Sequence, residues 1–210
     1  MKPLNHTLLL GNAETLPAGF LRQVAAGADF VLAADGAADR ALASGIRPDG
    51  VIGDLDSVSR SAKQQLANAL WLHIPRQDNT DLEKALDYLS KHACKHCTLC
   101  GFFGRSPDFS LGNFFALAPF VKKMGLTVRG PGWQLRPVTN TLTVPCTPGK
   151  YVSLLTHQHC RGVRTSGLKY PLNGQSVTWK KAGRYLRNQT TGKRFSVSAE
   201  SGLLWVYWED

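Results

Sequence analysis

The feature that most constrains the fold of this 210-residue chain is a regular alternation in its first 130 residues. Short apolar runs alternate there with segments of helical periodicity. The apolar runs are His6–Leu10, Phe30–Ala34, Val51–Ile52, Trp71–Ile74 and Cys97–Phe103. The helical segments start near Pro17, Ala37, Ser61, Thr80 and Leu111, the last two predicted as Thr80–Ser90 and Leu111–Lys123. Strands buried on both faces are apolar throughout, so this rhythm predicts a parallel α/β sheet.

The pattern changes at Pro131-Gly132. Short strand-like pieces follow, separated by turn signals such as Pro148-Gly149 and Asn173-Gly174, and no helix is predicted among them. The predicted fold class is therefore α/β plus all-β. Residues 1–130 form a Rossmann-like parallel α/β domain, and residues 131–210 form a small β-sandwich domain.

The composition argues against disordered, membrane-spanning, secreted and disulfide-rich classes of protein. The chain is 43% hydrophobic and 19% charged, which argues against disorder. No apolar run approaches the roughly 18–20 residues that cross a bilayer, and Met1 to Leu10 make a poor signal peptide. Five cysteines, an odd number, argue against a disulfide framework. We therefore expect a cytoplasmic protein without a membrane partner.

Charge is unevenly distributed. The net charge is +10, yet residues 1–110 hold 11 Lys and Arg against 12 Asp and Glu, and residues 111–210 hold 14 against 3. A basic stretch between Lys180 and Arg194, interleaved with Trp179 and Tyr185, is compatible with a nucleic-acid-binding module. A solvated basic face is the commoner explanation, so we expect no nucleic-acid partner and keep that function as an alternative.

Five aspartates follow predicted strands. Asp35 follows the second apolar run, Asp54 and Asp56 the third, and Asp78 and Asp81 the fourth. Ligands of such sheets bind beyond the carboxyl ends of the strands, so we expect these side chains to converge. Clustered carboxylates on loops suit Mg²⁺ with substrate phosphates. Aspartate is also common in turns and at helix starts, which leaves a structural role open for each one.

A second metal-like pattern is Cys94-x2-Cys97-x2-Cys100, with His92 and His96 beside it. Three cysteines at this spacing are compatible with zinc or an iron–sulfur cluster. Cys97 and Cys100 lie on a predicted strand, however, where a small apolar side chain packs well. We favour packing over metal binding.

Several segments together resemble the thiamine pyrophosphokinase (thiamine diphosphokinase) family. They are Ala34–Asp39, Pro48–Ser57, Gln77–Leu86, Ser166–Leu172 and Ser201–Leu204. The combination G-D-x-D-S with T-D-x-x-K-A is the specific part. The resemblance implies an N-terminal α/β domain and a C-terminal β-sandwich, in a homodimer with active sites between subunits. It also implies transfer of pyrophosphate from Mg-ATP to the thiamine hydroxyl, giving thiamine diphosphate and AMP.

The resemblance also implies site residues. Asp35, Asp54, Asp56 and Asp81 would be catalytic, and the last three would hold Mg²⁺. The residues expected to bind ATP or thiamine are Gln77, Asp78, Thr80, Lys84, Asp108, Ser166 and Asn188. The chain departs from the family pattern at Arg76, Phe109 and Arg187. A relative that binds thiamine without turnover is therefore a second alternative.

Overall fold

A computed structural model describes residues 4–76 and 78–210 of the chain. The chain divides into two compact units, Met1–Pro131 and Gly132–Asp210. Within the described residues, none of the helices has both the length and the apolar character needed to cross a membrane.

The first unit is a six-stranded parallel sheet with five helices. The strands are β1 (His6–Leu10), β2 (Phe30–Ala34), β3 (Gly50–Gly53), β4 (Leu70–His73), β5 (His96–Cys100) and β6 (Gly125–Gly130). The helices are α1 (Ala18–Ala25), α2 (Ala37–Ala43), α3 (Arg60–Gln65), α4 (Asp81–Lys91) and α5 (Pro107–Ala116).

The strand order β6-β5-β1-β2-β3-β4 makes this sheet Rossmann-like, as predicted. From β1 the chain proceeds outward through β2, β3 and β4, and it then returns to the other side of β1 to form β5 and β6. The order therefore reverses between β1 and β5. The crevice beyond the carboxyl ends of these two strands is where sheets of this class bind ligands.

Helices cover both faces of the sheet. Leu8 and Val31 pack with buried side chains of α1, α2 and α3 in one cluster. Their neighbours Leu9 and Leu32 point to the opposite face, because successive strand residues alternate, and α4 contacts β2 and β3. Burial on both faces explains why the strands are apolar throughout.

Two predicted helices are shorter than expected. Helix α5 runs from Pro107 to Ala116 and not over Leu111–Lys123. Pro119 lies inside the predicted segment, and proline cannot continue an α-helix, so the chain forms a 3-10 turn at Ala118–Phe120 instead. Helix α3, predicted from sequence as Ser61–Leu70, ends at Gln65.

The second unit is a β-sandwich, also as predicted. Its strands are β7 (Trp133–Val138), β8 (Thr141–Pro145), β9 (Tyr151–Leu155), β10 (His159–Ser166), β11 (Asn173–Thr178), β12 (Asn188–Gln189), β13 (Arg194–Ser198) and β14 (Leu204–Glu209). One antiparallel sheet has the order β12-β9-β14-β7, and the other β11-β10-β13-β8. Apolar residues of both sheets, including Val152, Phe195 and Trp208, form the core between them.

One helical segment in this unit was not predicted. Residues Trp179–Tyr185 form a 3-10 segment with a non-helical kink at Lys181. It contacts β9 of one sheet and β11 of the other. The Asn173-Gly174 pair, predicted as a turn, instead forms the start of strand β11.

A close glycine contact lies at the reversal point of the first sheet. A methyl group on Gly101 would come within 2.6 Å of the Gly11 carbonyl oxygen, and one on Gly11 within 2.7 Å of the Gly101 oxygen. The Gly11 N–H donates to Cys100 O at 2.8 Å, and the Ala13 N–H donates to Gly101 O at 2.7 Å. These contacts hold the loop after β1 against the end of β5.

Substitution of Gly101 by alanine should destabilise the chain by about 2–4 kcal/mol. The cause is the left-handed backbone of Gly101 (φ +78°) together with the clash against Gly11. The measurement is the urea midpoint of unfolding. Gly112→Ala is the matched control: Gly112 lies inside α5 with open space around it, so alanine should stabilise by about 0.5–1 kcal/mol. Equal effects of the two substitutions would contradict the close approach.

Candidate functional site

Three carboxylates converge beyond the ends of β2 and β3. Asp35 follows β2, and Asp54 and Asp56 follow β3, with one oxygen of each within 4.8 Å of the others. Asp35 is only 8% exposed, and its buried Oδ1 has no hydrogen-bond partner among the described residues. A buried anionic oxygen without a partner is costly, and a bound cation would relieve that cost.

The backbone is shaped to bring these carboxylates together. Asp35 (φ +46°) and Leu55 (φ +64°) both adopt the left-handed conformation, which is uncommon for side chains other than glycine. Gly53 ends β3, and a methyl group there would lie 3.1 Å from Asp35 Cβ and 3.2 Å from Asp81 Oδ1. The segment around Leu55 is thus not extended. The absent Cβ of Gly53 leaves room for two carboxylates to approach.

Asp81 adds a fourth carboxylate and Lys84 a cation. Asp81 is the first residue of α4, and its Oδ1 accepts a hydrogen bond from Lys84 Nζ at 3.1 Å. The Lys84 side chain is only 3% exposed. Burial raises the pKa of Asp81, the Lys84 ammonium lowers it, and the negative charges of Asp35 and Asp54 raise it. The four aspartates therefore form one electrostatic cluster with a buried lysine beside it, which we call the carboxylate cluster.

Thr80 and Asp78 lie next to this cluster in sequence but make other contacts. Thr80 caps α4: its Oγ1 accepts from the Glu83 N–H at 3.3 Å, and its N–H donates to Glu83 Oε2 at 2.9 Å. Asp78 is exposed and accepts two hydrogen bonds from Arg76, at 2.9 and 2.6 Å, which lower its pKa. Asp78 is therefore not among the converging aspartates. Gln77 lies outside the described residues.

A cavity of about 260 Å³ opens at this edge of the first unit. It is bounded by residues that follow every strand from β1 to β5. The lining residues are Asn12, Ala13, Ala34, Asp35, Ser57, Thr80, Asp81, Leu82, Phe102, Arg105, Phe109 and Asn113. The cavity thus lies at the crevice that the strand order predicts.

Asn12 is a residue of this cavity that the sequence analysis missed. The glycine contact at the end of β1 holds its loop, and a methyl group on Gly36 would lie 2.8 Å from Asn12 Nδ2. Asn12 Oδ1 is buried without a hydrogen-bond partner among the residues described. The signal available in the sequence was the position of Asn12, which follows the first apolar run directly after Gly11 and so lies at the carboxyl end of a predicted strand.

Asp108 is at the cavity's margin. It lies in the first turn of α5 and is fully exposed, and hydrogen bonds from the Ser106 side chain and the Phe109 N–H lower its pKa. It does not line the cavity, whereas Phe109, the next residue, does and is 52% exposed.

The cysteine pattern is part of the sheet core. Cys94, Cys97 and Cys100 are buried and free, and burial raises the pKa of Cys97 well above its usual value and that of Cys100 to about 12. In the part of the chain that the structure describes, they do not assemble into a group with metal-ligand geometry. The burial of all three cysteines agrees with the predicted packing role.

The two predicted residues of the second unit make structural contacts. The Asn188 side chain accepts from the Tyr170 N–H at 3.1 Å and donates to Tyr170 O at 2.8 Å, so it clamps one backbone segment. Ser166 Oγ is 2.8 Å from Ser196 Oγ on the neighbouring strand. Neither contact by itself indicates a ligand.

Comparison with known proteins decides the family. A family model described as thiamin pyrophosphokinase, catalytic domain, matches residues 21–128, and one described as thiamin pyrophosphokinase, vitamin B1 binding domain, matches residues 139–204. The chain belongs to the thiamin pyrophosphokinase family. The predicted family is thereby confirmed. Membership supports a kinase-type transferase connected with thiamine biosynthesis.

Individual members of the thiamin pyrophosphokinase family agree with this assignment. A protein named thiamine pyrophosphokinase from Bacillus subtilis (strain 168) is 27% identical over 170 residues, which cover 78% of this chain and 79% of that protein. The crystal structure of thiamine pyrophosphokinase from Bacillus subtilis has a TM-score of 0.84 at 21% identity, covering 97% of this chain and 98% of that one. Yeast thiamin pyrophosphokinase has a TM-score of 0.81 at 16% identity, covering 98% and 86%. The predicted fold class is confirmed.

The carboxylate cluster of this family member has the donor set of a hard divalent cation. Its oxygens are close together, one of them is buried without a partner, and Gly53 leaves a space that a side chain would fill. Oxygen-only ligands of this kind suit Mg²⁺.

Substitution of Asp35 by asparagine should stabilise the metal-free chain by about 1 kcal/mol. It removes a buried charge from among like charges, and asparagine tolerates the left-handed backbone. The measurement is thermal unfolding in EDTA. Asp87→Asn is the control: Asp87 is paired with Lys91 at 2.9 Å on the surface, and its loss should not stabilise. A destabilised Asp35→Asn variant would show that the cluster is not under electrostatic strain.

Proposed function

We propose that this chain transfers pyrophosphate from Mg-ATP to the hydroxyl of thiamine, giving thiamine diphosphate and AMP. The observation that carries the proposal is the carboxylate cluster beyond the carboxyl ends of β2 and β3, two members of which line the cavity, in a chain of the thiamin pyrophosphokinase family. In the reaction the thiamine oxygen bonds to the β-phosphorus of ATP and the bridge to the α-phosphate breaks, so that AMP leaves and the hydroxyl proton is released. Such transfers depend mainly on positioning and on neutralising charge.

Asp54, Asp56 and Asp81 are the proposed Mg²⁺ ligands, and Asp35 belongs to the same catalytic group. When bound, Mg²⁺ supplies positive charge that neutralises the phosphate oxygens and orients them. Gly53 and the left-handed residues Asp35 and Leu55 support this role, because they hold the carboxylates in place before any ion arrives.

The remaining predicted residues are assigned to the substrates. Thr80, which lines the cavity, is a proposed contact of ATP. The buried Lys84 ammonium, which donates to Asp81, is proposed to face phosphate oxygens of ATP. Gln77, Asp78 and Asp108 are proposed contacts of ATP or thiamine at the margin of the cavity. Ser166 and Asn188 are proposed to act in the second unit by holding the segments that meet thiamine.

The wider assignments follow from the same family. We propose that residues 1–130 are the catalytic domain and that residues 131–210 bind thiamine and dimerise. The proposed state is a cytoplasmic homodimer. Binding of thiamine without turnover, and nucleic-acid binding by the basic second unit, have no support from the comparisons.

Substitution of Asp54 by asparagine should lower turnover at least about a thousandfold, because the cluster would lose a metal-binding charge. The assay incubates the protein with Mg-ATP and thiamine and quantifies AMP and thiamine diphosphate by chromatography. Wild-type protein should form them in equal amounts.

Asp87→Asn, which removes a surface aspartate paired with Lys91, is the control and should turn over normally. A folded wild-type protein that makes no thiamine diphosphate at any Mg²⁺ concentration would overturn the proposed reaction.

Asn12 is proposed to take part in ion binding through its buried amide oxygen. Substitution by alanine should weaken binding of Mn²⁺, used as a stand-in for Mg²⁺, by about tenfold, as removal of supporting metal contacts does elsewhere. Free Mn²⁺ is counted by electron paramagnetic resonance without substrates. Asn140→Ala, at an exposed turn, is the control. Unchanged affinity in Asn12→Ala would remove Asn12 from the site.

A further inference from the structure

The loop between β3 and α3, residues 54–59, contains two aspartates of the carboxylate cluster. Within this loop, Asp54 Oδ1 accepts the Asp56 N–H at a long 3.4 Å, and Asp56 Oδ1 accepts the Ser57 hydroxyl at 3.0 Å. Both contacts join residues at most two positions apart in sequence, so neither of them fixes the loop relative to Asp35. Polar contacts with α2 and α3 attach the loop to the rest of the unit.

Asp39 attaches the end of this loop to α2. It lies in the first turn of α2, four residues after Asp35, and is half-buried. Its Oδ2 accepts a hydrogen bond from the Ser59 N–H at 3.0 Å, and its Oδ1 accepts one from the Ser59 hydroxyl. Hydrogen bonds to an ionised acceptor are about twice as strong as neutral ones, and two of them to one residue also fix its orientation. The Ala38 N–H donates to Asp35 O at 3.0 Å, so the connection continues from Ser59 to Asp35.

Ser59 and Lys63 attach the loop to α3. Ser59 is the N-cap of α3, because its Oγ also accepts the Ala62 N–H at 3.0 Å. Lys63, one turn into α3, donates from Nζ to Leu55 O at 3.0 Å, and it thereby holds the left-handed residue that separates the two aspartates. The loop is therefore held in its middle by α3, and at its end by both α3 and the helix that follows Asp35.

These attachments limit how far Asp54 and Asp56 can move away from Asp35, whose carboxylate has an oxygen within 4.8 Å of theirs. Mg²⁺ takes its ligands at about 2.0–2.1 Å in near-ideal octahedral geometry, whereas Ca²⁺ takes more ligands at about 2.3–2.6 Å and tolerates irregular sites. The larger ion needs the carboxylates to separate, and the attached loop opposes that movement. Proteins discriminate between the two ions by the size and the flexibility of the site.

We propose that Asp39 is a positioning residue whose contact with Ser59 makes the carboxylate cluster selective for Mg²⁺ over Ca²⁺. Asp39 acts through the loop and is not itself a ligand of the ion. The inference rests on the proposed function in one respect, that the cluster binds Mg²⁺. It adds the ion preference of that site and assigns the preference to a contact between α2 and the start of α3.

The test measures the affinities of divalent ions in the absence of substrates. Bound Mn²⁺ is counted by electron paramagnetic resonance, and Mg²⁺ or Ca²⁺ is titrated to displace it. Wild-type protein should bind Mg²⁺ at least about tenfold more tightly than Ca²⁺. Asp39→Ala should lower this ratio about fivefold or more, because the released loop can open for the larger ion. Asp39→Asn keeps one oxygen acceptor for Ser59 and should give an intermediate ratio.

The ratio separates positioning from a purely structural role. Loss of a residue that only stabilises the fold would weaken the binding of both ions alike, so an unchanged ratio in Asp39→Ala overturns the proposal. A wild-type protein that binds both ions equally overturns it as well. If wild-type protein binds no Mn²⁺ at all, the metal site of the proposed function is itself wrong, and this inference falls with it.

Asp29→Ala is the matched control. Asp29 Oδ2 accepts the His6 N–H at 2.9 Å, a contact with a backbone donor like that of Asp39, but at the start of β1 and so at the opposite edge of the sheet. Its loss should lower the urea midpoint of unfolding, as that of Asp39 does, and leave the ratio of the two affinities unchanged. Equal changes of the ratio in both variants would show a general effect of stability and overturn the assignment to Asp39. If Asp39→Ala does not fold, an unchanged ratio in Asp39→Asn overturns the proposal.

Discussion

The first unit depends on one constraint, the repulsion between carboxylates that the fold holds close together. Four aspartates gather at one sheet edge, three of them with oxygens within 4.8 Å. Two features of the fold favour this arrangement. Lys84, whose side chain is only 3% exposed, places a positive charge beside Asp81, and Gly53 has no side chain to block the approach of the carboxylates. The compensation is incomplete, since one oxygen of Asp35 stays buried and unbonded among the described residues. An arrangement of charges that destabilises the protein by itself, and that a bound cation would stabilise, has the energetics of a cation-binding site.

The two units present opposite electrostatic surroundings to ligands. The cavity of the first is bordered by carboxylates, whereas a cavity of about 760 Å³ in the second is lined by Lys181, Arg184 and Arg187. The sequence already contains this division, because 12 of the 15 acidic residues precede residue 111, whereas 14 of the 25 basic residues follow residue 110. The net charge of +10 therefore describes neither unit, and taken alone it points towards nucleic acid.

Sequence reasoning succeeded where local chemistry and position coincide. The capping box of Thr80 and Glu83 marked the start of α4, and the apolar runs located the strands whose ends carry Asp35, Asp54 and Asp56. It failed at two local conformations, the left-handed backbone of Leu55 and the Arg76–Asp78 pair. It also failed where a long-range contact decides, since Asn12 enters the site because Gly11 and Gly101 pack together from strands about ninety residues apart in sequence. The length of α5 was a local error, since Pro119 was visible in the sequence.

The sequence analysis also did not predict the cavity of the second unit. Its cations lie in an irregular 3-10 segment and beside a two-residue strand, neither of which has a periodic signature. These cations differ from solvated surface charges because of their surroundings. Buried aliphatic side chains form the floor of the cavity, Tyr151 stacks on Arg187, and the carboxylates of the unit contact other groups. A basic stretch on a flat surface would be solvated and inert. Around a concave apolar floor the same charges are less screened, because the cavity removes part of the water that would otherwise surround them.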